Sequence, residues 1–395
     1  MGLRSSGPLP CSASSRLLRR TRTPLLAADP GDVMLSLAKV VAAVLGATIA
    51  AATVVSAVKT VVVPRAESQR ISRLWFLIMR RLFGVLARSS RPFAERDRVM
   101  TLYAPLTLVL LPILWTSFVT LGFTGIYWAV TGDSLRDAFL TSGSSMFTLG
   151  VVFHRPIPLA ALTFFQAALG LTLTALLISY LPSIYGAYQR REQLVGMLDS
   201  RAGVPPTPSE VLIRYQRISG LDQMDGDLFA RWEEWFVDVE ESHSSVPALV
   251  YFRSPRANRS WITAAGCVLD TAAIYLSCVD IGRSARASLC LRSGFLALRR
   301  LTEYFKFAVD HDPQPTDPIS VTRAEFDDMF ERLRAAEVPV VADVDQAWAD
   351  YAGWRVNYDV ALVALCQLVM APEGRWSSDR LLIGNVPKRP NWRGR

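Results

Sequence analysis

The sequence predicts an all-α membrane protein with three transmembrane helices, a re-entrant pore helix and a cytosolic helical domain. Three observations carry this reading. Hydrophobic residues make up 51% of the 395 residues and mean hydropathy is +0.24, with the excess concentrated before residue 190. Arginine crowds the flanks of the apolar runs, which is where inner-leaflet anchoring places it. After residue 190 apolar residues recur at helical spacing, and no period-two alternation competes with it.

The net charge of +8 raises a nucleic-acid partner as a question. The basic residues lie beside apolar segments and form no recognisable binding motif, so none is expected. The five cysteines, Cys11, Cys267, Cys278, Cys290 and Cys366, include no CxxC pair and no histidine at metal-ligand spacing. Neither a zinc site nor a disulfide framework is indicated, and reduced buried thiols in a cytosolic domain are expected.

Residues 1–33 are rich in Arg, Ser and Pro without a sustained apolar period, and are expected to be disordered. The Arg19-Arg20 pair has only a short apolar run behind it, so translation from Met34 is the simpler expectation. Residues 34–63 are almost wholly apolar, with Lys39 and Lys59 near the ends, and form the first spanning helix. Ala42, Gly46 and Ala50 recur every fourth position, a face that permits close helix approach.

Residues 64–98 interleave Arg65, Arg70, Arg73, Arg80, Arg81, Arg88, Arg91, Arg96 and Arg98 with Leu74, Trp75, Ile78, Leu82 and Phe83. Placing Arg80 and Arg81 in hydrocarbon would cost about 2.5–3.5 kcal/mol each, so this segment reads as a cytoplasmic helix lying in the interface. Residues 102–130 supply the second span, with Pro105 and Pro112 in its first half, and residues 159–185 supply the third. The stretch between these two holds only Arg136 and Arg155, so it faces out while the arginine-rich flanks face in. Three spans then place the N-terminus outside.

Between those spans lies SLRDAFLTSGSSMFTLGVVF, residues 134–153, too polar to cross a bilayer and too apolar for an ordinary loop. Ser134 and Asp137 stand at capping-box spacing, which predicts a helix over about 135–147. At roughly 20 Å it cannot cross the core. Its C-terminus would aim the negative dipole end and unpaired carbonyls at the membrane centre, favouring a cation.

This order of helix, short pore helix, Ser144-Ser145-Met146-Phe147-Thr148-Leu149-Gly150 and helix resembles the pore loop of the two-helix potassium channel superfamily over about residues 102–187. Thr148-Leu149-Gly150 stands where that family's T-V-G begins its selectivity filter. The resemblance implies a homotetramer around a central pore, ion coordination by filter carbonyls, and Gly170 as gating hinge; Gly170 also reads as a packing glycine. Val151, Val152 and Phe153 replace the family's Y-G-D. Inward carbonyls need alternate left-handed residues, which Gly150 allows and β-branched Val152 resists, so a four-site potassium filter is not expected. His154 and Arg155 stand in place of the acid, and four copies of Arg155 would make the outer mouth positive.

Residues 189–395 form the cytosolic domain, with helices expected near 209–219, 227–242, 258–281, 284–307, 322–336 and 343–371. Thr322 and Glu325 make a second capping box. Val344, Trp348, Tyr351, Tyr358, Leu362, Leu365 and Val369 mark the last segment as one amphipathic helix. Residues 261–279 are long enough to span, but central Asp270 would cost about 2.5–3.5 kcal/mol, so a buried soluble helix is expected.

Candidates for chemistry are few. Glu240, Glu241 and His243, or Asp310, His311 and Asp312, could hold a metal, but read better as a helix end and a polar linker. Arg253, Arg256 and Arg259 read as an exposed loop or a contact to anionic lipid. No phosphate loop, nucleophile elbow or metalloprotease helix occurs, so no enzyme activity and no cofactor are expected. The expected partners are the lipid bilayer, inorganic ions, sister subunits and an unidentified cytosolic ligand or protein. The expected function is passive ion passage at the cell membrane; the alternative is a non-conducting scaffold or sensor that recruits a partner.

Overall fold

A computed structural model describes residues 30–62, 70–87, 92–152, 155–282 and 284–382. Residues 1–29 with Cys11, as well as Pro64, Arg65, Arg88, Arg91, Phe153 and His154, lie outside the described residues. Among the described residues every regular element is helical apart from one antiparallel bridge between Val279 and Val340.

The N-terminal half builds α1 (Pro30–Val62), α2 (Arg70–Leu86), α3 (Phe93–Thr101), α4 (Tyr103–Thr131), α5 (Leu135–Met146) and α6 (Ile157–Ala202). The stretch expected to be disordered thus contributes its last four residues, 30–33, to α1, where Pro30 opens the helix and Asp32 stabilises its first turn.

The pairing of α1 with α4 is the most extensive in the N-terminal half. A Cβ at Gly46 would overlap the Gly122 carbonyl, one at Gly122 would overlap the Gly46 carbonyl, and one at Gly125 would press on Ala42. The small face of residues 42, 46 and 50 is therefore a contact between backbones, stabilised by packing of groups that lipid could not replace as closely.

The segment expected to be one interfacial helix is two helices. Pro92 precedes α3 and cannot continue a helix from the N-terminal side, while α3 runs into α4 with only Leu102 between. In α2, Met79 and Phe83 pack with Tyr103 and Ala104 of α4, and Trp75 donates to the Thr107 carbonyl at 2.9 Å. Its opposite apolar face, Leu74, Ile78 and Leu82, is exposed.

The C-terminal half holds α7 (Pro208–Ile218), α8 (Ala230–Ser245), α9 (Trp261–Cys278), α10 (Ala285–Tyr304), α11 (Arg323–Ala335), α12 (Val344–Arg355) and α13 (Asp359–Val369). The expected capping box of Thr322 and Glu325 starts α11. α9 is the axis of this domain, packed by α7, α10, α12 and α13. Ile262, Val268, Leu269 and Ile274 are fully enclosed, at about 1.5–3 kcal/mol for each such side chain removed from water. Cys267, Cys278, Cys290 and Cys366 are buried free thiols in the same domain.

Asp270, in the middle of α9, is satisfied inside the protein. Arg355 donates to both carboxylate oxygens at 2.6 and 2.8 Å, and Tyr358 and Tyr351 add hydroxyl donors at 2.8 and 3.2 Å. Arg355 also bonds Asp359 and the Trp376 carbonyl. Burial opposes the charge on Arg355, but Asp270 and Asp359 outweigh it and hold the guanidinium protonated.

That network also explains a correction: residues 343–371 do not form one helix. The chain turns at 356–358, where the Asn357 amide donates back to the Gly353 and Trp354 carbonyls, and Arg355 bridges to Asp359 across the break. Trp348 and Tyr351 belong to α12, whereas Leu362 and Leu365 belong to α13.

Four helical stretches are long and apolar enough to cross a membrane by length and composition: Gly31–Val61, Phe93–Thr131, Ile157–Ala202 and Trp261–Cys278. The last is enclosed by its own domain, as its central carboxylate requires.

Candidate functional site

The hairpin begins outside α4 and turns back alongside it. Gly132 ends α4 with φ of 77°, a left-handed C-cap that glycine adopts without penalty. Ser134 then caps α5, accepting from the Asp137 amide at 3.2 Å while its hydroxyl donates to the Asp137 carboxylate at 2.7 Å. Asp137 sits in the first turn, where the helix dipole favours it.

α5 descends between α4 and α6. Ser142 donates to the Thr120 carbonyl at 2.8 Å, and Gln166 donates to the Ser142 carbonyl and hydroxyl at 3.1 and 2.8 Å. At the tip, a Cβ on Gly170 would overlap the Met146 carbonyl. Gly170 lies about 20 Å along α6 from its start at Ile157, at 1.5 Å per residue, whereas Ser134 follows just after the end of α4. At 12 residues, about 18 Å, the helix runs beside its two longer neighbours and stops part-way along them.

The end of α5 differs from the expectation. Three of its last four carbonyls have donors: Phe147 donates to Gly143, Leu149 to Ser144 at 2.8 Å and Thr148 to Ser145 at 3.1 Å. This is a Schellman arrangement with Thr148 in the left-handed position, φ 54°, where glycine is the usual residue. A β-branched side chain there is strained, and the second bond of the turn holds it in place.

Gly150 is also left-handed, φ 67°, so residues 148 and 150 alternate while Val152 does not join them. Ser144 ties the following segment back by accepting from the Val151 and Val152 amides at 3.0 and 3.1 Å. Ser144 and Ser145 are buried within the hairpin, whereas Thr148, Leu149, Gly150 and Val151 are exposed, Val151 by 79%. Arg155 is exposed two residues before the start of α6.

Gly170 is thus a packing glycine against the tip of α5, one of the two readings its position allowed. Sequence reasoning missed Gln166, which is fully buried and fastens α5 to α6 through Ser142. The available signal was an isolated amide in an otherwise apolar run, a group that cannot be left in hydrocarbon without a partner.

Below the tip, α6 exposes Thr172, Ala175, Ser179 and Ser183 along one side, within about 80° of arc at 100° per residue. The helix continues past the expected end at 185 for more than four turns into the C-terminal domain. There Arg191 is fully buried and donates to the Leu249 and Phe252 carbonyls at 2.8 and 2.7 Å, and to His243 Nε2 at 3.1 Å. Because arginine can only donate, Nε2 accepts and the imidazole proton sits on Nδ1, 2.9 Å from the Ser242 hydroxyl. Burial and the Arg191 charge hold His243 well below the usual imidazole range, so it is neutral.

The arginines expected in an exposed loop are also engaged. Arg253 pairs with Asp97 of α3 and donates to the Val369 and Met370 carbonyls, and Arg259 pairs with Asp199 of α6. Arg253 thereby joins the two halves of the molecule, while Arg259 fastens the end of α6 within the C-terminal domain. Arg256 lies more openly, 3.6 Å from the same Asp199. Glu240 pairs with Arg300, and among the described residues no cluster of three His, Cys, Asp or Glu side chains is disposed to hold a metal.

Comparison with known proteins finds no matching family model, no matching curated protein and no matching solved structure.

Proposed function

We propose that this chain is an integral protein of the cell membrane in which α1, α4 and α6 span the bilayer and α5 enters it from outside as a pore helix. Copies assemble as a homotetramer around a shared axis, and inorganic ions pass through the centre. The C-terminal domain lies in the cytoplasm and is coupled to the pore through the unbroken length of α6. The observation that carries this reading is the position of α5: a capped helix that stops part-way along two longer apolar helices and ends in an exposed segment with two left-handed residues.

In a tetramer the exposed Leu149, Gly150 and Val151 would meet their symmetry mates, and the hydroxyl-bearing side of α6 at Thr172 and Ser179 would face the lumen. Because the Gly143, Ser144 and Ser145 carbonyls already have donors, the end of α5 offers a cation fewer free acceptors than an open helix end would, and Arg155 adds positive charge at the mouth. Weakly selective passage, or preference for anions, follows from that balance.

The same paired carbonyls favour a second reading, a non-conducting scaffold or sensor in which the hairpin only packs and the cytosolic domain recruits a partner. Ion flux in liposomes separates the two. Gly150→Pro forces φ to about −65° at a residue now at 67°, so it should abolish flux that the unmodified protein supports. Equal silence of both proteins, or a monomer in native lipid by cross-linking, would contradict the channel reading.

A further inference from the structure

Where the two halves of the molecule meet, a cavity of about 320 Å³ opens between the inner end of α1, one side of α2, the start of α4 and the segment 245–251 of the C-terminal domain. Its lining carries Lys59, Arg73, Arg80 and Lys306, and among the described residues that line it there is no Asp or Glu. Arg80 is held in place by donating to the Tyr251 hydroxyl at 2.8 Å and stacks over that ring. Behind the cations the wall is apolar, formed by Phe76, Leu77, Leu108 and Pro247.

An anion entering this partly desolvated space gains charge-assisted hydrogen bonds from the cations around it, which are stronger than neutral ones. A free anion would leave the apolar wall bare. The cavity also lies beside the last turn of α1, and the far side of α2 exposes Leu74, Ile78 and Leu82 as a face for the acyl region, which puts the cavity near the lipid headgroups in the arrangement proposed above.

We propose that this cavity binds one acidic glycerophospholipid of the inner leaflet, its phosphate among Lys59, Arg73, Arg80 and Lys306 and the start of an acyl chain against Phe76 and Leu108. The volume suits a headgroup with its glycerol backbone. Because Lys59 and Arg73 come from the membrane helices and Lys306 from the C-terminal domain, the bound phosphate fastens one half to the other. The inference rests on the membrane placement of α1 and α2, and not on conduction, so a failure of flux leaves it standing and a failure of lipid binding leaves flux unaffected as a question.

The test uses the full chain in neutral detergent, with short-chain phosphatidylglycerol as probe and binding read by native mass spectrometry and by thermal stabilisation. Phosphatidylglycerol should bind at least tenfold more tightly than phosphatidylcholine of the same chain length and than glycerol phosphate. The double variant Lys59→Gln/Lys306→Gln should weaken binding tenfold or more, and Arg73→Gln alone should weaken it severalfold. The exposed pair Arg217→Gln/Arg332→Gln, which changes net charge equally, should leave binding within twofold. Equal binding of phosphatidylcholine would remove the anion requirement, and equal binding of glycerol phosphate would make this a site for soluble anions. An equal loss in both double variants would reduce the effect to net charge; each of these results overturns the proposal. Circular dichroism of the lipid-free variants confirms that a loss of binding is not a loss of fold.

Discussion

α1 and α9 both satisfy the length and hydropathy requirements of a membrane span, with mean hydropathies of 2.2 and 1.4, and they end in opposite surroundings. The apolar window of α1 is 28% buried by protein and that of α9 is 94% buried. The difference lies in what the polar residues find. Lys59 of α1 stands exposed in its last turn and Lys39 is only half-buried, whereas Asp270 at the centre of α9 finds Arg355, Tyr351 and Tyr358, the tyrosine and arginine partners coming from outside α9. Hydropathy alone measures how much a helix avoids water; the location of its charges decides whether lipid or protein replaces that water.

The largest expected effect lies on the α9 side. Asp270→Ala leaves Arg355 buried with a single carboxylate partner, and breaking a buried pair from one side costs about 3–5 kcal/mol. Thermal unfolding followed by near-ultraviolet circular dichroism should show early melting of the C-terminal domain, while protease protection of α1 and α4 in lipid is unchanged. Loss of both together would mean that the two regions do not have the independent supports described here.

On the α1 side the sensitive point is backbone contact. Gly122→Val drives a branched side chain into the Gly46 carbonyl, and overpacking of this kind costs about 1–3 kcal/mol, with more where backbone must move. Cysteine pairs across α1 and α4 should lose cross-linking efficiency in that variant. Unchanged cross-linking would show the helices to be farther apart than described.

Acid provides the next test. His243 is neutral when folded, with Arg191 the charged group facing it and the Trp261 ring packed beside it, while the unfolded chain protonates near its ordinary pKa of about 6.5. The unfolded state therefore binds more protons below that pH, and stability falls as pH falls, by about 1.4 kcal/mol per unit. His243→Gln, which can still accept from Arg191, should flatten the decline between pH 6.5 and 5 relative to the unmodified protein. The smallest effect is expected for Gln166→Leu, where losing the donor to Ser142 costs about 1 kcal/mol and should appear as faster amide exchange in α5 with little change elsewhere.

Much of this fold is legible in local sequence signals. The caps of α5 and α11, the small face of α1 and the burial of α9 follow from short-range rules about dipoles, close approach and the cost of a charge in hydrocarbon. What was not legible depends on distant partners. The break between α12 and α13 follows from Asn357 bonding back to its own helix and from the site that Asp270 provides for Arg355, 85 positions away. Arg253 looks like a surface residue until Asp97 and the end of α13 are brought to it. In the hairpin, the sequence marks where the helix begins, but whether its final carbonyls stay open depends on Thr148 accepting a left-handed conformation that its side chain disfavours.

Depth in the bilayer tests the central claim most directly. With nitroxide labels at Leu135 and Leu149 in reconstituted full-length protein, accessibility to oxygen and to a polar relaxant should place position 135 at the outer headgroups. Position 149 should lie about 15–20 Å deeper, as the rise of α5 requires. Equal depths for the two labels would lay α5 flat on the surface and contradict the account of a pore hairpin.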